Sequence, residues 1–299
     1  MPTATPSART GLDDRPSFSE LHLVDRFGWV AIYTAREADT GRAVALKVIE
    51  PSAPGYVHDA LDREAGYLAL LGTHPHIVTL FQATTLSDGR PALVLEACPS
   101  SIAEAVHAQR ITVPLAVSTA IKIAGALETT HRAGLVHCAV RPSNVLLTEF
   151  GQPVLADFGA AVATDEQSVV AVHETTSHTA PELLLGETPS AATDVYALSS
   201  TLYEMVTGRA PFRAYAGESP AAVSLRIING GVRPIVAADV PLELSDLLVW
   251  GMNPDPGERP PGAAWLAEEL GRVEQRSGWP RTRLITGEPH LPGHRAPFA

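Results

Sequence analysis

Cysteine is scarce in this chain of 299 residues: there are two, Cys98 and Cys138, and they show no metal-ligand spacing. They provide neither a disulfide framework nor a zinc site, so reduced thiols are expected. Long apolar runs are missing too. The longest helical apolar pattern, around Val117 to His131, is broken by Lys122 and Glu128 and reads as an amphipathic or core helix. The opening Met1-Pro2-Thr3-Ala4-Thr5-Pro6-Ser7 lacks a basic region followed by an apolar core and does not read as a secretory signal. A cytoplasmic protein without membrane insertion is the expectation. Positive charge is in deficit, with 22 Lys and Arg against 33 Asp and Glu, a formal net charge of -11 and a pI near 5.4. Nucleic-acid binding, which needs a clustered basic surface, is therefore opposed, and only a local basic patch remains open. No internal repeat is found.

What is present is the composition of a folded protein: 45% hydrophobic and 18% charged residues, in a length that suits one large domain or two lobes. Residues 1–17, rich in Pro, Ser, Thr and Asp, read as a leader. From Phe18 to Glu50 three runs of β-branched or apolar alternation predict strands, with a turn at Asp39-Thr40-Gly41-Arg42. Helical spacing takes over at residues 57–71, with Leu61, Leu68 and Leu71 on one face, and ends at Thr73-His74-Pro75. Two further strands are expected, Ile77 to Ala83 and Pro91 to Glu96, around a turn at Ser87-Asp88-Gly89. After a hinge at residues 97–100 the pattern becomes helical. Val117, Ile121, Ala124 and Leu127 repeat at helical spacing, and more helices are expected at Asp194 to Val206, Ala221 to Asn229, Leu242 to Gly251 and Gly262 to Val273. The stretch 271–299 carries five arginines, two glutamates and four prolines. It reads as a flexible tail, either a docking segment or a solvated terminus.

Four ordered landmarks give this plan a meaning. Val44-Ala45-Leu46-Lys47 has the form of a third-strand lysine motif, and His137-Cys138-Ala139-Val140-Arg141-Pro142-Ser143-Asn144 is spaced like H-R-D-L-x-x-x-N. Asp157-Phe158-Gly159 and Ala180-Pro181-Glu182 follow in the expected order. On these motifs the chain resembles the Ser/Thr protein kinase family, in its bacterial eukaryotic-like branch, from about Phe18 to about Leu270. The resemblance implies an α+β, bilobal kinase-like fold: a small β-rich lobe over residues 18–96, the hinge at 97–100, and a larger helical lobe over 101–270.

The resemblance also implies roles. Lys47 matches the phosphate-contacting lysine and Glu64 its helical partner, although the two could persist as an ion pair without nucleotide. Asn144 and Asp157 match the two magnesium ligands, and Glu96 and Cys98 fall where a retained nucleotide would meet the hinge. His137, Phe158, Gly159 and Asp194, with the pair Glu182 and Arg259, match scaffold positions of the larger lobe. Three departures stand out. Ala139 occupies the place of the proton-accepting aspartate, and no Asp or Glu lies between Val136 and Thr148 to replace it. Arg141 stands for the usual lysine, while Cys138 replaces the arginine that reads activation-segment phosphate, so phosphorylation at Thr164, Ser168, Thr175 or Thr176 would lack its usual arginine partner. Asp25, Phe27 and Val30 hold the three positions of the glycine-rich loop, and Gly28 alone survives at a variable one. His178 replaces a tyrosine, which places ordinary peptide docking in doubt.

A positioned acid or base contributes about 10²- to 10⁴-fold in rate. The expectation is accordingly a pseudokinase, a scaffold or allosteric regulator with weak or absent ATP and Mg binding and an unidentified protein partner. Dimerisation is left open. Two alternatives stand: an active ATP-dependent Ser/Thr kinase with a non-standard site, and an interaction module that uses no nucleotide.

Overall fold

The computed structural model describes residues 17–72, 74–164 and 176–289. The chain divides into two units, one of residues 1–58 and 80–96, the other of residues 59–79 and 97–299.

The first unit is a five-stranded antiparallel sheet. Its strands are β1 (Phe18–Phe27), β2 (Val30–Glu37), β3 (Ala43–Ile49), β4 (Leu80–Thr85) and β5 (Pro91–Glu96), in the order β1-β2-β3-β5-β4. Side chains alternate across a strand, so Val44, Leu46 and Val48 of β3 share one face. There they join Ala35, Leu86, Ala92 and Val94 in an apolar core, with Phe18, Tyr33 and Phe81 against it. Lys47 is thereby directed to the opposite face. Strand β1 lies at the sheet edge, and Leu21, Leu23 and Val24 on it are exposed. Between β1 and β2 the loop is two residues long, Gly28 and Trp29, with Phe27 paired to Val30. Gly28 has φ 54°, which a two-residue hairpin favours at its first central position.

The second unit is built on helices α1 (Gly55–Leu71, from Asp59 onward), α2 (Ile102–His107), α3 (Val113–Arg132), α4 (Pro181–Leu185), α5 (Ala191–Thr207), α6 (Pro220–Asn229), α7 (Leu242–Gly251) and α8 (Ala263–Arg276). Short strands β6 (Ser100–Ser101), β8 (Val145–Leu147) and β9 (Pro153–Leu155) form one small sheet, and β7 (Leu135–Val136) and β10 (Val162–Ala163) form another. Helix α3 is buried along most of its length and packs against α5 and α8. Thr112 caps its first turn and Pro114 sits where a missing N–H costs nothing. Ser190 and Thr193 form a capping box at the start of α5, which stops at Gly208 with φ 71°. Among the described residues no helix is long and apolar enough to cross a membrane.

Two expectations need correction. The strand foreseen from Ile77 begins at Leu80, because the backbone of residues 76–78 pairs elsewhere: Leu155 N–H donates to the His76 carbonyl at 2.9 Å and Val78 N–H to the Leu155 carbonyl at 2.9 Å. The flexible tail is also wrong for residues 277–289. Helix α8 continues to Arg276, and the extended segment after it lies along α3. Gly287 N–H donates to Thr129 Oγ1 at 2.9 Å, and His74 Nε2 lies 3.0 Å from the Ile285 carbonyl. Gly125 makes the close approach feasible, since a side chain there would strike the Ile285 carbonyl. The remainder of that stretch, the leader 1–16, and Ser168 and Thr175 lie outside the described residues.

Candidate active site

The loop at residues 137–144 is built around one buried carboxylate. Asp194 in the first turn of α5 accepts the backbone N–H of His137 at 2.8 Å, the N–H of Cys138 at 2.9 Å and the Nε2–H of His131 at 2.8 Å. Its burial acts to raise its pKa, but the hydrogen bond and charge of His131, with His137 nearby, outweigh this and hold it below the ordinary carboxylate value. Two adjacent amides on one carboxylate bend the chain sharply, and Cys138 sits at φ 63° in the left-handed region that non-glycine residues rarely visit. Burial, with Asp194 and Glu182 adding negative charge, pushes the Cys138 thiol far up, so it is not a reactive thiolate.

His137 is fully buried and fixes the other side of the loop. Its Nδ1 accepts Ala139 N–H at 3.2 Å, its Nε2 lies 3.2 Å from the Ala156 carbonyl, and its ring meets Phe158 edge-on at 4.6 Å. Desolvation lowers its pKa despite the nearby carboxylates of Asp194 and Asp157. Asn144 Nδ2 donates to the Ala139 carbonyl at 2.8 Å. Ala156 N–H donates to the Asn144 carbonyl at 2.9 Å, which brings Asp157, the next residue, beside Asn144. Asp157 has φ 65° and ψ 69°, a second left-handed non-glycine residue in the same site.

The structure therefore groups Ala139, Asn144 and Asp157 with His137, Phe158 and Asp194. A hard cation such as Mg²⁺ takes oxygen ligands and is usually held by one or two protein groups together with substrate phosphates. The Asn144 amide oxygen and the Asp157 carboxylate fit that donor set. The loop position that the motif assigns to the proton acceptor, residue 139, carries a methyl group. Arg141 is half-buried in the same loop. Glu182 and Arg259 form the bidentate, buried pair that their motif positions imply, at 2.7 and 2.8 Å, and Thr193 Oγ1 donates to Glu182 at 2.8 Å. His178 is buried, with Nδ1 2.8 Å from Ser200 Oγ and Nε2 2.8 Å from Glu204, so its ring serves the packing of α5.

Lys47 is buried on β3 of the first unit and Glu64 is buried on α1 of the second. Glu96 ends β5 and Cys98 is half-buried two residues later. Within the first unit, Asp25 pairs with Ile32, Ile32 with Lys47 and Lys47 with Leu93, so these four form one cross-strand row. Directly paired residues share a face, which puts the Asp25 carboxylate on the Lys47 side of the sheet, two strand spacings or about 10 Å away. Phe27 and Trp29 are 47% and 41% exposed, so neither ring plugs an enclosed cavity.

Residues 26–270 match the family model of the protein kinase domain. The chain belongs to the protein kinase family. It is 34% identical over 267 residues to the serine/threonine-protein kinase PknK of Mycobacterium tuberculosis, with the same identity to PknK of Mycobacterium bovis. It is 30% identical over 305 residues to the serine/threonine-protein kinase PknA of Mycobacterium tuberculosis. These alignments cover 87% and 98% of this chain, and 24% and 68% of PknK and PknA respectively, so the chain spans about a quarter of the PknK length. Its family place is thus among the eukaryotic-like Ser/Thr kinases of bacteria, a family that works with ATP and Mg²⁺.

Proposed function

We propose that this member of the kinase family transfers phosphate poorly or not at all and acts as a scaffold or allosteric regulator that weakly binds nucleotide. The observation that carries the reading is Ala139. Its backbone is fixed by His137 Nδ1 and Asn144 Nδ2, while its methyl group can accept no proton. In kinases an aspartate of the catalytic loop accepts the substrate hydroxyl proton, and its loss removes a contribution of about 10²- to 10⁴-fold.

A second defect supports the same reading. The glycine positions that would let backbone N–H groups approach phosphate oxygens are Asp25, Phe27 and Val30, and Asp25 adds negative charge on the Lys47 face. Retention of Lys47, Asn144 and Asp157 favours residual binding of Mg-ATP over complete indifference to it. When bound, the metal would supply charge neutralisation between the phosphates; Asn144 and Asp157 would hold it and Lys47 would meet the phosphates.

Thermal denaturation with Mg-ATP tests the reading, because a ligand of the native state raises apparent stability by mass action. A small shift requiring millimolar Mg-ATP, abolished by Asp157→Ala, is the expected result. A large shift at micromolar Mg-ATP would contradict weakened binding. Silence throughout would favour a nucleotide-independent interaction module.

A further inference from the structure

A groove of about 540 Å³ opens on the second unit between α8 and the extended segment that follows it. Ile121 of α3 and Ala267 of α8, both buried, lie at its base, and Arg272, Arg281 and Arg283 line it together with Glu268 and Gln275. The segment is held in place. Glu274, 1% exposed, accepts Thr282 N–H at 2.8 Å and Thr282 Oγ1–H at 2.6 Å through its two carboxylate oxygens. Thr282 is half-buried against Glu274, and Arg281 and Arg283 on either side of it are exposed.

Arg272 pairs with Glu269 one turn earlier on α8, but Arg281 and Arg283 form no ion pair among the described residues. Two guanidinium groups two residues apart, lining one groove with a third, are an unusual concentration in a chain of net charge -11. The planar guanidinium fork matches phosphate oxygens in paired hydrogen bonds, and arginine clusters are a recurring way of reading phosphorylated segments. The groove also falls in the range of about 300–1,000 Å³ typical of ligand sites, larger than a bare oxyanion needs.

We propose that this groove binds a phosphate monoester carried on a serine or threonine of a peptide, with Arg281 and Arg283 on the phosphate and the length of the groove taking the flanking residues. The inference stands apart from the reading of Ala139, since no residue of the 137–144 loop lines the groove.

Fluorescein-labelled degenerate peptides with a fixed central phosphoserine or phosphothreonine, and the same peptides unphosphorylated, titrated with the full chain by anisotropy, provide the test. The phosphorylated pools are expected to bind at least about tenfold more tightly, as one or two charge-assisted hydrogen bonds imply. The double variant Arg281→Glu/Arg283→Glu abolishes the preference, while Arg276→Glu, at the end of α8 and outside the groove, preserves it. Thr282→Val weakens binding with both arginines intact. Equal binding of the two pools, an unchanged double variant, or loss of preference with Arg276→Glu would overturn the proposal. So would inorganic phosphate competing mole for mole with the phosphopeptide, which would reveal a bare anion site.

Discussion

The side-chain amide of Asn144 donates to the backbone carbonyl of Ala139 at 2.8 Å, so the loop is held at residue 139 by a bond that is indifferent to the side chain it carries. With Asp194 gripping His137 and Cys138, the loop conformation does not depend on an aspartate at that position. Ala139→Asp should therefore fold, with a melting temperature close to that of the parent. Transfer should rise by less than about tenfold, because the glycine positions remain blocked. Combining it with Phe27→Gly and Val30→Gly should recover much of the 10²- to 10⁴-fold worth of a positioned base. Single-turnover assays with labelled ATP measure both, and a full recovery from Ala139→Asp alone would show that Asp25, Phe27 and Val30 are no obstacle.

Acid should destabilise the second unit early. His74 and His137 each use Nδ1 to accept the N–H two residues on, from His76 at 3.1 Å and Ala139 at 3.2 Å, so protonation removes an acceptor from a buried amide. Desolvation, the largest influence on each, holds His74, His76 and His137 below their ordinary value of 6.5. The unfolded chain then binds more protons than the native one, and stability rises with pH. It is fully present above about pH 6.5 and is lost as pH falls through the folded values. Melting temperatures from pH 7.5 to 5 should fall, with a shallower slope in His74→Gln. A flat profile would mean that these rings take up protons equally in the native and unfolded states.

The C-terminal segment should peel away when α3 is crowded. Gly125→Ala places a methyl group against the Ile285 carbonyl. Overpacking costs about 1–3 kcal/mol, and here the segment is the part able to move. Limited trypsin digestion should cut after Arg281 and Arg283 faster in the variant than in the parent. Equal cutting rates would show that the segment adapts without leaving α3.

Much of this arrangement is legible in the sequence where the signal is local. β5 and α7 coincide with their expected spans to the residue, because a turn at Ser87-Asp88-Gly89 and a dense apolar run delimit them. Helix α2 was not foreseen, although Ser101-Ile102-Ala103-Glu104 carries the capping signature that starts it, with the Glu104 N–H on Ser101 Oγ. The displaced start of β4 and the docking of residues 277–289 depend on partners distant in sequence, Leu155 and α3, and no periodicity reports them. Of the site, the motif spacing brings out His137, Asn144, Asp157 and Asp194, since fixed offsets carry them. The sequence order of Asp25 and Lys47 does not disclose their shared cross-strand row, which needs the register of two hairpins.

The central claim is that a methyl group at position 139 and an obstructed phosphate loop leave little phosphotransfer. Transfer from radiolabelled ATP to generic protein substrates and to the chain itself, measured for the parent and for Lys47→Met, tests it most directly. The account expects incorporation near background in both proteins. Robust incorporation by the parent that disappears with Lys47→Met would contradict it.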